Sequence, residues 1–423
     1  MSEQTPITTA TQSVPEPPRE NQLIRDMLRG NVVTTILAFV VAFAVGGILI
    51  ALTSDDVRSS AGYFFARPGD TFAALWQAIA GGYDAMFRGA IYNTRAAEPA
   101  IAIRSLTNSI GYAAPLIAAG LGVAVAFRVG MFNIGAQGQI LMGAAFAALI
   151  TFPMGLSMPL QLVMTMIGAV VGGAIWAGIV GLLKALTGAH EVILTIMFNY
   201  VAVYLVTWMV STSGVLQRAG SNQPISEPTP AAAQFPDLID ARYPALDWGF
   251  IFVLIAAVFV HWLMERSSLG MRMRAVGENP HAAKASGISV QRMYVYAMLI
   301  AGGLAGLAAS QQIQGAITSG FTSTIDAGFG FDAITVALLG RSRAFGVVAA
   351  GLLFGALKAG SYTMQSSEGI PVDIVLVVQA VVVLFVAAPP LVRTIFFLPK
   401  TAQEKQAKAR GKQAKRAKMA VAR

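Results

Sequence analysis

Val32–Leu52, VVTTILAFVVAFAVGGILIAL, runs for 21 residues without a charge. As a helix it is about 32 Å long, enough to cross the hydrocarbon of a bilayer. It is too long for the core of a signal peptide and no convincing small-residue cleavage site follows, so it reads as a retained first span. The same texture returns at Leu106–Phe127, with a kink expected at Pro115, and at Asn133–Phe152, Met158–Leu183, Val192–Val210, Trp248–Met264 and Met293–Ala316. An unequal pair, Phe331–Gly340 and Ala344–Gly360, precedes a last span, Ile370–Ala388. Phe331–Gly340 is short for a crossing and reads as a broken or partly re-entrant helix buried in protein. Together these segments predict an all-α polytopic membrane protein of about ten transmembrane helices.

Composition points the same way. Of 423 residues, 55% are hydrophobic and only 12% charged, and mean hydropathy is +0.63. That charged share is about half of a soluble domain's, so lipid must solvate most of the chain. With no cysteine there is no disulfide, thiolate metal site or cysteine nucleophile. The three histidines, His190, His261 and His281, are too scattered to suggest a metal cluster. Thr71–Tyr92 places Phe72, Leu75, Trp76, Ile79, Tyr83, Phe87 and Ile91 at helical spacing, broken by Asp84 and Arg88, and reads as an amphipathic helix on the membrane face.

The net charge of +9 comes from one place: residues 393–423 hold ten Lys/Arg and one acid, and the rest of the chain nets to zero. A basic tail after a span reads as a cytoplasmic anchor touching anionic lipid, with no nucleic-acid polymer as partner. Residues 1–22 are polar, with Pro15, Pro17 and Pro18, and read as disordered. With the N-terminus inside, 22 Lys/Arg fall on the inner side and eight on the outer, which predicts N-in, C-in. The organisation expected is a cytoplasmic arm, 1–30, a transmembrane domain, 31–392, and the basic tail, 393–423. Within the domain 53–104 and 211–247 are external and 265–292 is cytoplasmic. Trp208 and Trp248 flank the proline-rich 211–247 loop as an aromatic belt would. Gly168/Gly172, Gly302/Gly306 and Gly351/Gly355 have the spacing of close helix contacts.

Several chemistries are missing. No G-x-x-x-x-G-K-[ST], H-E-x-x-H or G-x-S-x-G occurs, which argues against self-energised ATP hydrolysis and against those hydrolase types. Asp332, Lys358 and Asp373 fall near predicted span ends, leaving the interiors almost free of ionisable groups. That argues against a self-sufficient ion-coupled secondary transporter. In the loop 265–292, Asn279 is a good N-cap, Pro280 a good first helical residue and Gly287 a good terminator. The two turns between them, with Ala282, Ala283 and Ala285, need a surface to dock on. That surface is either a partner ATPase or the chain's own bundle.

Four blocks, in order, resemble one family. Phe132-Asn133-Ile134-Gly135-Ala136-Gln137-Gly138-Gln139 looks like the signature of nucleoside-type permeases, with Gln137 where an acid is usual. His190-Glu191-Val192-Ile193-x-Thr195-Ile196-Met197-x-Asn199-Tyr200 and Gly330-Phe331-Asp332-Ala333-Ile334-x-Val336-Ala337-Leu338-Leu339-Gly340 are similar to theirs. Gly270-x-Arg272-x-Arg274-Ala275-x-Gly277-Glu278-Asn279-Pro280-x-Ala282-Ala283-x-x-x-Gly287-Ile288 resembles the loop of ABC importer permeases of the branched-chain amino acid/ribose superfamily. The resemblance covers about residues 30–395. It implies the longer of two paralogous permeases, paired with the other, above an ATPase that binds ATP and magnesium, and fed by an extracytoplasmic substrate-binding lipoprotein. This chain would bind no cofactor itself. It also implies that Arg274, Gly277, Glu278, Asn279, Pro280, Ala282, Ala283 and Gly287 form the ATPase-coupling segment. The cargo implied is a nucleoside, with a pentose or other simple sugar as the alternative.

A nucleoside offers an aromatic base and several hydroxyls, so its path needs amides, hydroxyls and aromatic rings. Thr195 and Asn199 stand at i, i+4, with Tyr200, Tyr204 and Trp208 as a second stripe. Asn108 and Tyr112 share a helix face, Gln311, Gln312 and Gln314 cluster, and Asn133 and Gln137 lie in the signature. Each has a plainer role: interhelical hydrogen bonding for the glutamines, packing for the tyrosines, the interfacial belt for Trp208 and an N-cap for Asn133.

Overall fold

The computed structural model describes residues 31–239, 246–388, 391 and 394–396. The arm expected over 1–30 and the basic tail beyond 396 lie outside the described residues. The helices are α1 (Asn31–Thr53), α2 (Asp55–Ala61), α3 (Pro68–Ala90), α4 (Pro99–Arg128), α5 (Ala136–Thr151), α6 (Leu160–Thr187) and α7 (Glu191–Ser211). They continue as α8 (Trp248–Arg266), α9 (Ser268–Glu278), α10 (Pro280–Ala285), α11 (Val290–Ser310), α12 (Phe329–Leu339), α13 (Ala344–Glu368) and α14 (Asp373–Ala387). A π-helical turn, Gln311–Ala316, extends α11. Among the described residues the only β features are two isolated bridges, Gln217 with Ser226 and Asp237 with Asp247. Among the described residues eight helices are long and apolar enough to cross a membrane, and Phe329–Leu339 and Asp373–Val386 are shorter apolar ones. The all-α polytopic reading holds.

The chain divides into two units. One contains α1 as far as Phe43 and α14 from Leu384 onward; the other, Ala44–Val383, is the helical bundle. At the centre of the bundle is α4, in which every residue from Ala113 to Ala126 is buried. A helix apolar on all sides belongs inside, and α8, α11, α12 and α13 all pack on it. Helix α6 pairs with α11 and α5. In lipid such pairing depends on close packing rather than on expelling water. Glycine provides it: a β-carbon on Gly302 or Gly306 of α11 would strike the carbonyl of Gly173 or Ala169 in α6.

Two elements differ from the sequence reading in ways that matter for the site. Helix α13 continues to Glu368 rather than ending at Gly360, so Lys358 is its fifteenth residue and lies well inside it. In α3, Arg88 is 5% exposed and bonded to Asp84 at 2.8 Å and Glu368 at 3.5 Å. The charges that interrupt its apolar pattern therefore pair within the protein. Helix α12, with 11 residues, rises about 16 Å, half the hydrocarbon thickness. Its start opens into a cavity.

Candidate functional site

Helices α4, α8, α12 and α13 and the π turn surround a cavity of about 560 Å³. Helix α4 supplies Asn108 and Tyr112, α13 supplies Lys358 and Tyr362, and Phe329 opens α12. The π turn adds Gln311, Gln312 and Gly315, and Asp247, the N-cap of α8, completes the polar lining. The rings of Tyr112 and Tyr362 lie 5.6 Å apart, tilted by 31°. Lys358 Nζ donates to the Ala327 carbonyl at 2.8 Å, pairs with Asp332 at 3.4 Å and sits 4.2 Å from the Phe329 ring centroid. The cation is thus neutralised, as an ionisable group inside a membrane bundle must be.

The π turn sets three glutamines in the bundle, with different surroundings. One extra residue per turn re-aims the side chains, and such turns recur at functional sites. Gln314 is fully engaged: it donates to the carbonyls of Leu162 at 3.0 Å and Ala233 at 2.6 Å and accepts from Ser310 at 2.6 Å. Gln311 is 5% exposed, yet its Nε2 has no hydrogen-bond partner among the described residues. A buried unpaired amide costs about 1–3 kcal/mol unless a ligand or water meets it. Burial pushes the Asp247 carboxyl up to about 6, against the backbone N–H of Gly249 that it accepts at 2.9 Å. Burial likewise raises Asp326, before α12, to about 6, opposed by a hydrogen bond from Gln137. Gln137 thus meets an acid from a distant part of the chain.

Of the residues expected along a substrate path, Asn108, Tyr112, Gln311 and Gln312 come together here. The others lie outside the cavity lining. Asn199 Oδ1 accepts from Gly138 N–H and its Nδ2 donates to the Ile134 carbonyl, both at 2.9 Å. Asn133 accepts from Gly135 N–H at 2.9 Å and from Gln139 at 3.1 Å. It caps a turn two residues before the N-cap, which is Gly135. Thr195 bonds back to the Glu191 and Val192 carbonyls. Of these, Asn199 is the one that ties α7 to α5. Tyr200 and Tyr204 are 64% and 73% exposed on the outer face of α7. Sequence reasoning missed Asp247, Phe329, Lys358 and Tyr362. A lysine among apolar residues was the available signal, hidden by ending its helix at Gly360.

The loop helix forms as its caps suggest. Asn279 Oδ1 accepts from His281 and Ala282 N–H at 3.0 and 3.1 Å, and Gly287 takes φ +81°. Its faces differ from the expectation. Ala283 is 4% exposed and part of the chain's own core, so its methyl is not offered to a partner. Gly277 lies against the Arg128 carbonyl, with no room for a β-carbon, and Arg274 pairs with Glu265 at 3.2 Å. Glu278, Pro280, His281, Ala282, Lys284 and Ala285 form the free surface.

A family model described as branched-chain amino acid transport system / permease component matches residues 105–387. The guanosine ABC transporter permease protein NupP of Bacillus subtilis is 33% identical over 360 residues, 85% of this chain and 94% of that protein. The nucleoside ABC transporter permease protein NupB of Lactococcus lactis is 33% identical over 74% of this chain and 87% of its own. The glucose ABC transporter permease protein TsgB13 of Haloferax volcanii is 30% identical over 83% of this chain and 86% of its own. No solved structure matches.

Proposed function

The chain belongs to the family of the branched-chain amino acid transport system / permease component, and on that premise we propose that it forms the path by which an ATP-driven importer carries nucleosides. It is a transport subunit rather than an enzyme, and a multi-pass protein of the cell membrane. ATP and magnesium belong to a separate ATPase, which docks on the free face of α10; a second permease completes the channel and an extracytoplasmic lipoprotein delivers cargo. This chain itself holds no cofactor.

The observation that carries the cargo reading is the cavity's pairing of Tyr112 and Tyr362 with the unpaired Gln311 amide. A nucleobase stacks against tyrosine. Its polar edge and the ribose hydroxyls bond to Gln311, Gln312, Asn108 and Asp247. About 560 Å³ falls within the range of small-molecule pockets. With Lys358 neutralised by Asp332, the lining offers amides, tyrosine rings and the Asp247 carboxyl, which suits a solute without negative charge. The similarity to a glucose permease favours one other reading, a monosaccharide, whose hydroxyls the same amides would meet. The deciding measurement is uptake of labelled nucleosides, ribose and glucose by cells with and without the gene. Nucleoside uptake should disappear with the gene and return with it. Loss of sugar uptake alone would install the second reading.

A further inference from the structure

A second cavity, of about 790 Å³, lies at the end of the bundle that carries α9 and α10. It opens between the last turns of α4 and α8, the side of α9 and the start of α13. Four arginines line it, Arg128, Arg266, Arg274 and Arg343, and Glu265 is the one acid in its lining. That single carboxylate is shared: Arg128 and Arg274 both pair with it. Arg266 and Arg343 have no ion-pair partner among the described residues. The Nε of Arg274 is buried without a hydrogen-bond partner. The four arginines against one glutamate give the lining a formal excess of three positive charges in one concavity.

The start of α13 adds to this. No side chain caps it, and its first residues, Ala344, Phe345 and Gly346, line the cavity. The first N–H groups of a helix have no partner within it and carry the positive end of its dipole. Guanidinium forks and an open helix start are both donors suited to phosphate oxygens. Here they come from α4, α8, α9 and α13, which approach from several directions. A phosphate presents enough oxygens to meet all of them, whereas a carboxylate has two. No phosphate-directed chemistry belongs to the Tyr112–Tyr362 cavity, where the one lysine is already neutralised.

We propose that this arginine-lined cavity is a binding site for a phosphate group. Its source is either the headgroup of an anionic phospholipid or a soluble phosphate. Occupancy would tie α9, and with it the loop that leads into α10, to the ends of α4, α8 and α13.

The test uses the full-length chain purified from its own membrane, with R266Q/R343Q as the variant. Neither arginine makes an ion pair among the described residues, so folding should persist, and a matching melting temperature verifies this. R272Q, at an exposed arginine outside the cavity, is the control. Native mass spectrometry after exposure to phosphatidylglycerol or phosphatidylcholine vesicles forms the lipid arm, and titration with inorganic phosphate forms the soluble arm. Wild type and R272Q should hold phosphatidylglycerol over phosphatidylcholine, or bind phosphate, at least about tenfold more tightly than R266Q/R343Q, as the loss of charge-assisted bonds requires. Binding in the lipid arm alone identifies the headgroup; in the phosphate arm alone, a soluble anion. Absence of both from wild type, or an equal loss in R272Q, overturns the proposal, and the wild-type measurement decides even if the variant does not fold.

Discussion

Two sets of amides lie inside this bundle. Asn199 ties α7 to the Gly138 N–H of α5 and to the Ile134 carbonyl just before it, while Asn133 and Gln139 bond to each other and Asn133 to the Gly135 N–H at the start of α5. Asn108, Gln311 and Gln312 line a cavity between α4, α8 and α13, and Gln311 Nε2 has no hydrogen-bond partner among the described residues. By residue type the two sets are equivalent, and Asn133 and Asn199 are expected along the polar path as much as Asn108, Gln311 and Gln312. They differ in what their neighbours already take up. A side chain whose donors and acceptors are all met inside the protein has nothing left for a ligand, and one held unpaired has.

The hardest test of that contrast is Asn199→Ala. It strands the Gly138 N–H and the Ile134 carbonyl in a buried setting, each at about 1–3 kcal/mol. The protein should lose about 3 kcal/mol of stability by denaturant or thermal unfolding in detergent, with uptake falling in proportion to folded protein. Normal stability with lost uptake would move Asn199 into the path. Gln311→Leu should do the reverse: stability within about 1 kcal/mol of wild type, since no internal bond is lost, and uptake lowered about tenfold at limiting substrate. An unchanged rate would remove the π turn from the site.

The same distinction extends to the loop. Ala285 is on the free face of α10, and Ala283 is inside. Ala285→Glu, with its carboxylate losing water on docking, should weaken ATPase co-purification by about fivefold while chain levels stay normal. Full co-purification would place the docking surface elsewhere.

The smallest effect is with pH. In the fold the Asp247 carboxyl is held at about 6, above its ordinary 3.8. The folded chain therefore keeps a proton that the unfolded chain has released. The stability this group adds is fully present below pH 3.8 and is lost as pH rises through 6. Melting temperature should fall more between pH 4 and 7 in wild type than in Asp247→Asn; parallel curves would mean that another group carries the change.

The spans were legible because a bilayer imposes one requirement that sequence alone expresses: an uncharged run of sufficient length. The loop helix was legible for a similar reason, because Asn279, Pro280 and Gly287 act on the backbone next to them. The glycine pairs were visible too, since close contact in lipid selects for the missing side chain itself. Every one of these signals is local. The interior position of Lys358, its neutralisation by Asp332 at a sequence separation of 26, the burial of Ala283 and the pairing of Gln137 with Asp326 depend on which helices meet. So does the division of the amides into the bonded and the open. Satisfaction of a polar group is a property of its neighbours, and neighbours distant in sequence are chosen only when the helices pack.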